Sequence, residues 1–273
     1  MNQIMKKTII NILWIICFGI LIFYVPTMAQ TVSKANGNSL DRGDFKVGFS
    51  PITKAKNPKK VIPKEFKDLL QGIADPLNAV IALPYDIYLN FDVCGEPNAF
   101  YSSATKEVTM CYEFLVDFEK QFKKASKDEA EIDNMVLGAT AFFFFHELGH
   151  CLIDVWDLPA TGREEDAVDQ LSMIILLDGT KEGGEMVGSG ALYFQLVSAE
   201  SGNAELAFWD VHSVDQQRFY NMLCLLYGSN PTQYKSIIGG KDGLPPERAE
   251  GCPKELKRAD RSWEKLLTPF LNS

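Results

Sequence analysis

Positions 8–24 are almost wholly apolar, follow Lys6 and Lys7, and end before Pro26 and the small-flanked tripeptide Thr27-Met28-Ala29. This is the layout of a secretory signal peptide over residues 1–29, cut near Ala29. A run of about 17 residues also stands at the lower edge of membrane-spanning length, so an uncut anchor is the alternative. Either reading sends the rest of the chain to the extracytoplasmic side, secreted or periplasmic or tethered by that segment. Residues 30–60 are polar, rich in Lys, Asn and Ser, and show no sustained apolar period; they read as a flexible linker, with a folded domain over 61–273. Tyr85–Asp92 largely alternates apolar with polar positions, which predicts a half-buried strand. β-type residues at 98–101 and 106–112 flank Ser102-Ser103-Ala104-Thr105 and predict a hairpin. Helical patterns follow over about 113–125, 128–154 and 163–177. Gly183, Gly184, Gly188 and Gly190 mark a flexible loop, and further helices run over 213–227, stopped by Gly228, and 254–268. Strands followed by helices predict an α+β domain, a small sheet and then a mainly helical C-terminal part.

Charge narrows the partners. Loss of residues 1–29 removes two lysines and no acid, leaving 25 basic against 36 acidic residues, a net charge of −11. Nucleic acid needs clustered Lys and Arg and is excluded as a partner. A membrane partner enters only through the N-terminal segment.

The helix over 128–154 carries His146-Glu147-Leu148-Gly149-His150. Side chains four residues apart share one helix face, so both imidazoles can reach one Zn²⁺, and Glu147 beside them can take a proton from water. A bare H-E-x-x-H arises in about one chain in a hundred of this length, and a helix with two incidental histidines is the bland alternative. The chain has only three histidines, two of them here, and Phe142–Phe145 precede them, so this helix is buried and its polar groups need a purpose. A catalytic zinc commonly has three protein ligands. Thr161 and Glu164 form a capping box at the start of the next helix, which occupies Glu164 and makes Glu165 the better third ligand, with Glu164 and Asp166 as rivals. Asp169, one turn on, is placed to accept the other N–H of a ligand histidine. The bland reading of these acids is a first turn suited to the helix dipole.

H-E-L-G-H followed by E-x-x-x-D resembles the gluzincin branch of zinc peptidases, best known from thermolysin, although the spacing from His150 to Glu165 is shorter here. From about residue 60 to the end the chain is similar to a family of bacterial metallopeptidases of unknown substrate, through Cys111-Tyr112-Glu113, HELGH, Thr161–Asp166 and the His212-Ser213 segment before a Cys-containing helix. The resemblance implies a zincin-like metallopeptidase fold with an edge strand and an active-site helix, a zinc cofactor held by His146, His150 and Glu165, and Asp169 supporting a histidine. It implies a substrate-binding strand at Asn98 and Ala99, and His212 as oxyanion donor; His212 could also be a ligand or a structural histidine. Tyr101 and Tyr220 are weaker candidates for the same role. The bland reading of Asn98–Tyr101 is an ordinary hairpin strand.

Six cysteines include Cys17 in the apolar N-terminal run. Export permits disulfides. Cys94–Cys111 would staple the hairpin and Cys224–Cys252 would tie a helix to a later loop, leaving Cys151 as a buried inert thiol; sequence alone does not fix the pairing. The expected activity is hydrolysis of peptide bonds in a peptide or protein substrate by zinc-activated water, with Glu147 as general base. The alternatives are a non-catalytic or degenerate zinc-binding protein, and a zinc amidase acting on cell-wall links. A structural zinc site usually has four protein ligands and no use for Glu147.

Overall fold

The computed structural model describes residues 40–201, 214–240 and 242–272. The expected signal segment lies outside them. The architecture is mixed, a small sheet with mostly helical content, and the chain divides into two compact units.

The first unit takes the chain up to Phe114, together with Cys151–Asp157 and the residues from Leu267. Its four strands are β1 (Phe45–Val47), β2 (Ile87–Asp92), β3 (Ala99–Ser102) and β4 (Glu107–Cys111), in spatial order β1-β2-β4-β3. β1 and β4 both run parallel to β2, and β3 is an edge strand antiparallel to β4, with Ala99 opposite Met110. The strand and hairpin patterns therefore form as expected. Alternation in β2 puts Ile87, Leu89 and Phe91 in the core, each at most 1% exposed.

Helix α1 (Pro51–Lys56) and helix α2 (Lys64–Val80) precede β2. α2 buries Phe66, Leu69, Leu70 and Ala74, and the Phe66 ring lies 4.5 Å from that of Phe91. Asn78 holds β1 by accepting from the Phe45 N–H and donating to its carbonyl. The expected order of strands first and helices afterwards is thus corrected: α1 and the amphipathic α2 lie in sequence between β1 and the other three strands. The linker expected over 30–60 is corrected as well, since its described part supplies β1 and α1. A three-residue strand is too short to show a period, and its parallel pairing is with residues 42 positions away. Ser50 caps α1 through the Thr53 N–H, while the Ser50 N–H and the Thr53 hydroxyl both donate to the buried carboxylate of Glu107. The Cys94–Cys111 disulfide forms, tying the loop after β2 to the end of β4.

The second unit comprises Leu115–His150 and Leu158–Leu266. Helix α3 (Tyr112–Phe122) leads into it. The long helix α4 (Glu129–Trp156) follows, then α5 (Glu164–Leu176), α6 (Lys181–Ser201), α7 (Asp215–Ser229), the short α8 (Pro246–Ala249) and α9 (Cys252–Leu267). Among the described residues, α4 is the one helix long and apolar enough to cross a membrane, but 89% of that window is buried, which makes it a core helix. It stops where Asp157 takes a left-handed φ of 49° and Pro159 follows.

The glycine-rich stretch expected as a loop is helix α6. Tertiary packing overrides propensity there, because the glycines are points of close approach. A Cβ on Gly190 would come within 2.9 Å of the Phe142 ring, and one on Gly183 within 2.0 Å of the Leu176 carbonyl oxygen. Gly228 likewise lies inside α7, 2.6 Å from the Cys252 carbonyl oxygen in the same sense, where the Cys224–Cys252 disulfide draws α9 against it. Cys151 is free and buried.

Candidate metal centre

Within the second unit, α4 and α5 bring three ligand atoms together. His146 and His150 present their Nε2 atoms 3.3 Å apart. Glu165 approaches both, its Oε2 at 3.2 Å from His146 and its Oε1 at 3.4 Å from His150. All three ligand atoms lie within 4.8 Å of one another.

Why the rings face inward follows from their other nitrogens. His146 Nδ1 is 2.7 Å from Asp169 Oδ1, and His150 Nδ1 is 2.6 Å from Glu164 Oε1. A carboxylate at Nδ1 keeps the proton there and leaves Nε2 as a lone pair. Two such lone pairs facing one another at 3.3 Å, beside a carboxylate, repel unless a proton or a cation lies among them. Two imidazole nitrogens with one carboxylate oxygen are a donor set that suits Zn²⁺. By that chemistry the residues present fit the metal.

Gly149 makes the approach of α5 possible: a Cβ there would lie 2.8 Å from Val168 Cβ and Cγ1. Val168 sits between Glu165 and Asp169 on α5, so the glycine of HELGH sets how closely the two acids come to the histidines. Glu147 is buried, 8% exposed, on the same helix.

The expected capping box does not form. α5 starts at Glu164 with Arg163 at the N-cap and no side-chain cap hydrogen bond. Glu164 is engaged instead with His150, a task the local pattern did not suggest, because His150 is 14 residues away in sequence. Asp166 supplies no atom to the cluster. On α7 Val214 occupies the N-cap; His212 and Ser213 lie outside the described residues.

Protons occupy these positions when no cation does. Burial of His146 opposes its charge, but hydrogen bonds with Asp169 and Glu165 outweigh burial and raise its pKa to about 9. The His150 value is raised in the same way, with burial opposing and Glu165 and Glu164 prevailing. Burial works against ionised Glu165, yet its hydrogen bonds to both imidazoles hold the carboxyl well below the usual range. Asp169 is likewise lowered: burial is overcome by the charge of Arg218 and by the hydrogen bonds from His146 and Arg218.

Arg218 was not among the expected residues. It sits on α7, 6% exposed, and donates from Nε to Asp169 Oδ2 at 2.8 Å and from a terminal nitrogen to Oδ1 at 2.6 Å. The signal was a charged residue on the face of a helix that also buries Phe219, Met222 and Leu225.

Other candidates belong to other elements. Asn98 and Ala99 belong to the first unit, where Asn98 Oδ1 accepts from the Ala99 N–H and Ala99 opens the edge strand. Tyr101, also in the first unit, donates its hydroxyl to Asp154 at 2.7 Å, and Lys106 donates to the same oxygen at 3.0 Å. Tyr220 is half-buried and packs its ring 5.1 Å from Phe219. The Cys151 thiol is pushed up by burial, which makes it inert.

Residues 52–267 match the family model DUF4344, described as "Putative metallopeptidase". No curated protein and no solved structure matches the chain.

Proposed function

The chain belongs to this metallopeptidase family, and from that premise we propose that it is a zinc-dependent peptidase of gluzincin type, with His146, His150 and Glu165 as the ligands and Glu147 as the general base. The observation that carries the reading is the convergence of two Nε2 atoms and a Glu165 carboxylate beside a buried glutamate on the same helix. When bound, the zinc ion supplies Lewis-acid polarisation of a carbonyl and acidifies water. The chain's own residues do the rest. Asp169 and Glu164 keep the imidazole protons on Nδ1, so that Nε2 is the free donor in each ring. Glu147 accepts the proton of the attacking water and passes it to the departing amine. Ala99, which opens strand β3 at the edge of the sheet among the described residues, and Asn98 just before it are proposed to receive an extended peptide by strand addition. His212 is proposed as the oxyanion donor.

Glu147→Gln keeps every ligand and removes the base. Zinc content measured by atomic emission should stay at the wild-type stoichiometry while cleavage of a proteome-derived peptide library falls by at least about 10²-fold. A Glu147→Gln protein that cleaves at the wild-type rate overturns the mechanism. Zinc bound with no peptide cleaved by wild type points to a non-catalytic zinc protein, and cleavage of cell-wall fragments in place of peptides points to an amidase.

A further inference from the structure

Arg218 and Asp169 are joined by two hydrogen bonds, both components nearly out of reach of solvent at 6% and 7% exposure. Arg218 is itself seated: its guanidinium carbon lies 4.1 Å from the centroid of the Phe194 ring, which is 3% exposed. A face-on ring and an edge-on carboxylate leave the planar guanidinium one orientation. It takes both oxygens of Asp169, and one of these, Oδ1, is the atom that meets His146 Nδ1 at 2.7 Å. Burying an arginine is costly unless its charge is matched and its N–H groups are used. Here it bonds a residue that acts on one histidine of the cluster.

We propose that Arg218 is the positioning residue of the metal centre, locking the Asp169 carboxylate so that His146 presents Nε2 in a single orientation. The inference rests on the reading of His146, His150 and Glu165 as zinc ligands. It makes the two histidines unequal. His146 is held from the interior by a carboxylate that is itself clamped. His150 is held by Glu164, whose side chain is 45% exposed and open to water. The fork geometry is the reason for arginine: a lysine at this position brings the charge but holds only one oxygen at a time.

Direction discriminates between explanations. Positive charge near a bound cation weakens its binding, so a purely electrostatic Arg218 predicts tighter zinc binding once it is removed. A packing role predicts no change. Positioning predicts weaker binding, because Asp169 loses both clamps and no longer fixes His146. Zinc affinity is measured by competition with a chromophoric chelator, for wild type, Arg218→Met, Arg218→Lys, Asp169→Asn and the Asp169→Asn/Arg218→Met double variant. The visible absorption of the cobalt-substituted forms is recorded alongside, and circular dichroism checks folding. We expect Arg218→Met to lose roughly 10–100-fold in affinity, with altered cobalt bands. Arg218→Lys should lose several-fold. The double variant should lose no more than Asp169→Asn alone, since Arg218 works through Asp169. Tighter or unchanged binding in folded Arg218→Met overturns the assignment, and so do losses that multiply in the double variant. If Arg218→Met does not fold, Arg218→Lys decides, and wild-type affinity in that folded variant overturns the assignment. A wild type that binds neither zinc nor cobalt overturns the ligand reading itself, whereas tight wild-type binding left intact by the Arg218 variants overturns only the role of Arg218.

Discussion

His146 and Glu165 answer each other electrostatically. Burial opposes both charges, yet hydrogen bonds with Asp169 and then Glu165 raise the pKa of the first to about 9, and those with His146 and His150 lower that of the second. Linkage gives the sign. A histidine whose folded-state value stands above its ordinary 6.5 contributes stability that is fully present below pH 6.5 and is lost as the pH rises through about 9. The metal-free protein should therefore melt at progressively lower temperature across that window. The zinc-loaded protein should not, because the cation occupies the place of the proton. Melts of chelator-treated and zinc-loaded protein at several pH values between 6 and 10 check this, and parallel curves for the two would count against a shared site for proton and metal. Zinc affinity itself should fall on acidification from about pH 9, since binding must then displace protons from the imidazoles. Glu164 and Asp169 belong to the same scale. Because Glu164 is largely exposed and Asp169 is buried and clamped, Glu164→Gln should cost less zinc affinity than Asp169→Asn, both within the roughly 10–100-fold expected for partners of metal ligands.

Between α4 and α5 the controlling feature is an absent side chain. Gly149 lies against Val168, and the added methyl of Gly149→Ala would meet Val168 Cβ and Cγ1 at 2.8 Å. Val168 is fully buried and has little room to give way. α5 must then move outward and take Glu165 and Asp169 with it. The expected cost is about 1–3 kcal/mol of stability from overpacking, seen as a lower urea midpoint, together with weakened zinc binding. Gly149→Ala with normal zinc affinity would show that the glycine is dispensable for the approach. The same physics explains the largest misreading of the sequence. Gly183, Gly184, Gly188 and Gly190 suggest a loop by propensity, and they form helix α6 because neighbouring rings and carbonyls leave no space for a Cβ at three of them. The capping box at Thr161 failed for a related reason: Glu164 has a stronger partner in His150 than in its own helix terminus.

At the scale of the whole molecule, two disulfides fit an extracytoplasmic setting. Cys224–Cys252 spans 28 residues in the second unit. By the chain-entropy argument its loss removes about 3.5 kcal/mol, and Cys94–Cys111, spanning 17 residues, about 3 kcal/mol. Chemical denaturation of the Cys224→Ser/Cys252→Ser protein should reveal the larger deficit, and a midpoint equal to that of wild type would argue against the bond.

The sequence by itself determined the strand and hairpin over 85–112, the long buried helix with its HELGH face and the metallopeptidase family. Those are local or short-range signals: a period of two, a spacing of four on one helix, an apolar run around two histidines. The cysteine pairs were candidates that the structure settled. Tertiary structure alone decided the rest. Which acid of α5 faces both histidines depends on the approach of two helices, and Arg218 reaches Asp169 across 49 residues of sequence. β1 pairs with a strand far downstream, and the glycine stretch is helical only because other elements press on it. A pattern along the chain records which face of an element is apolar; it does not record which element will cover that face, and the clamp behind His146 exists only in that second kind of information.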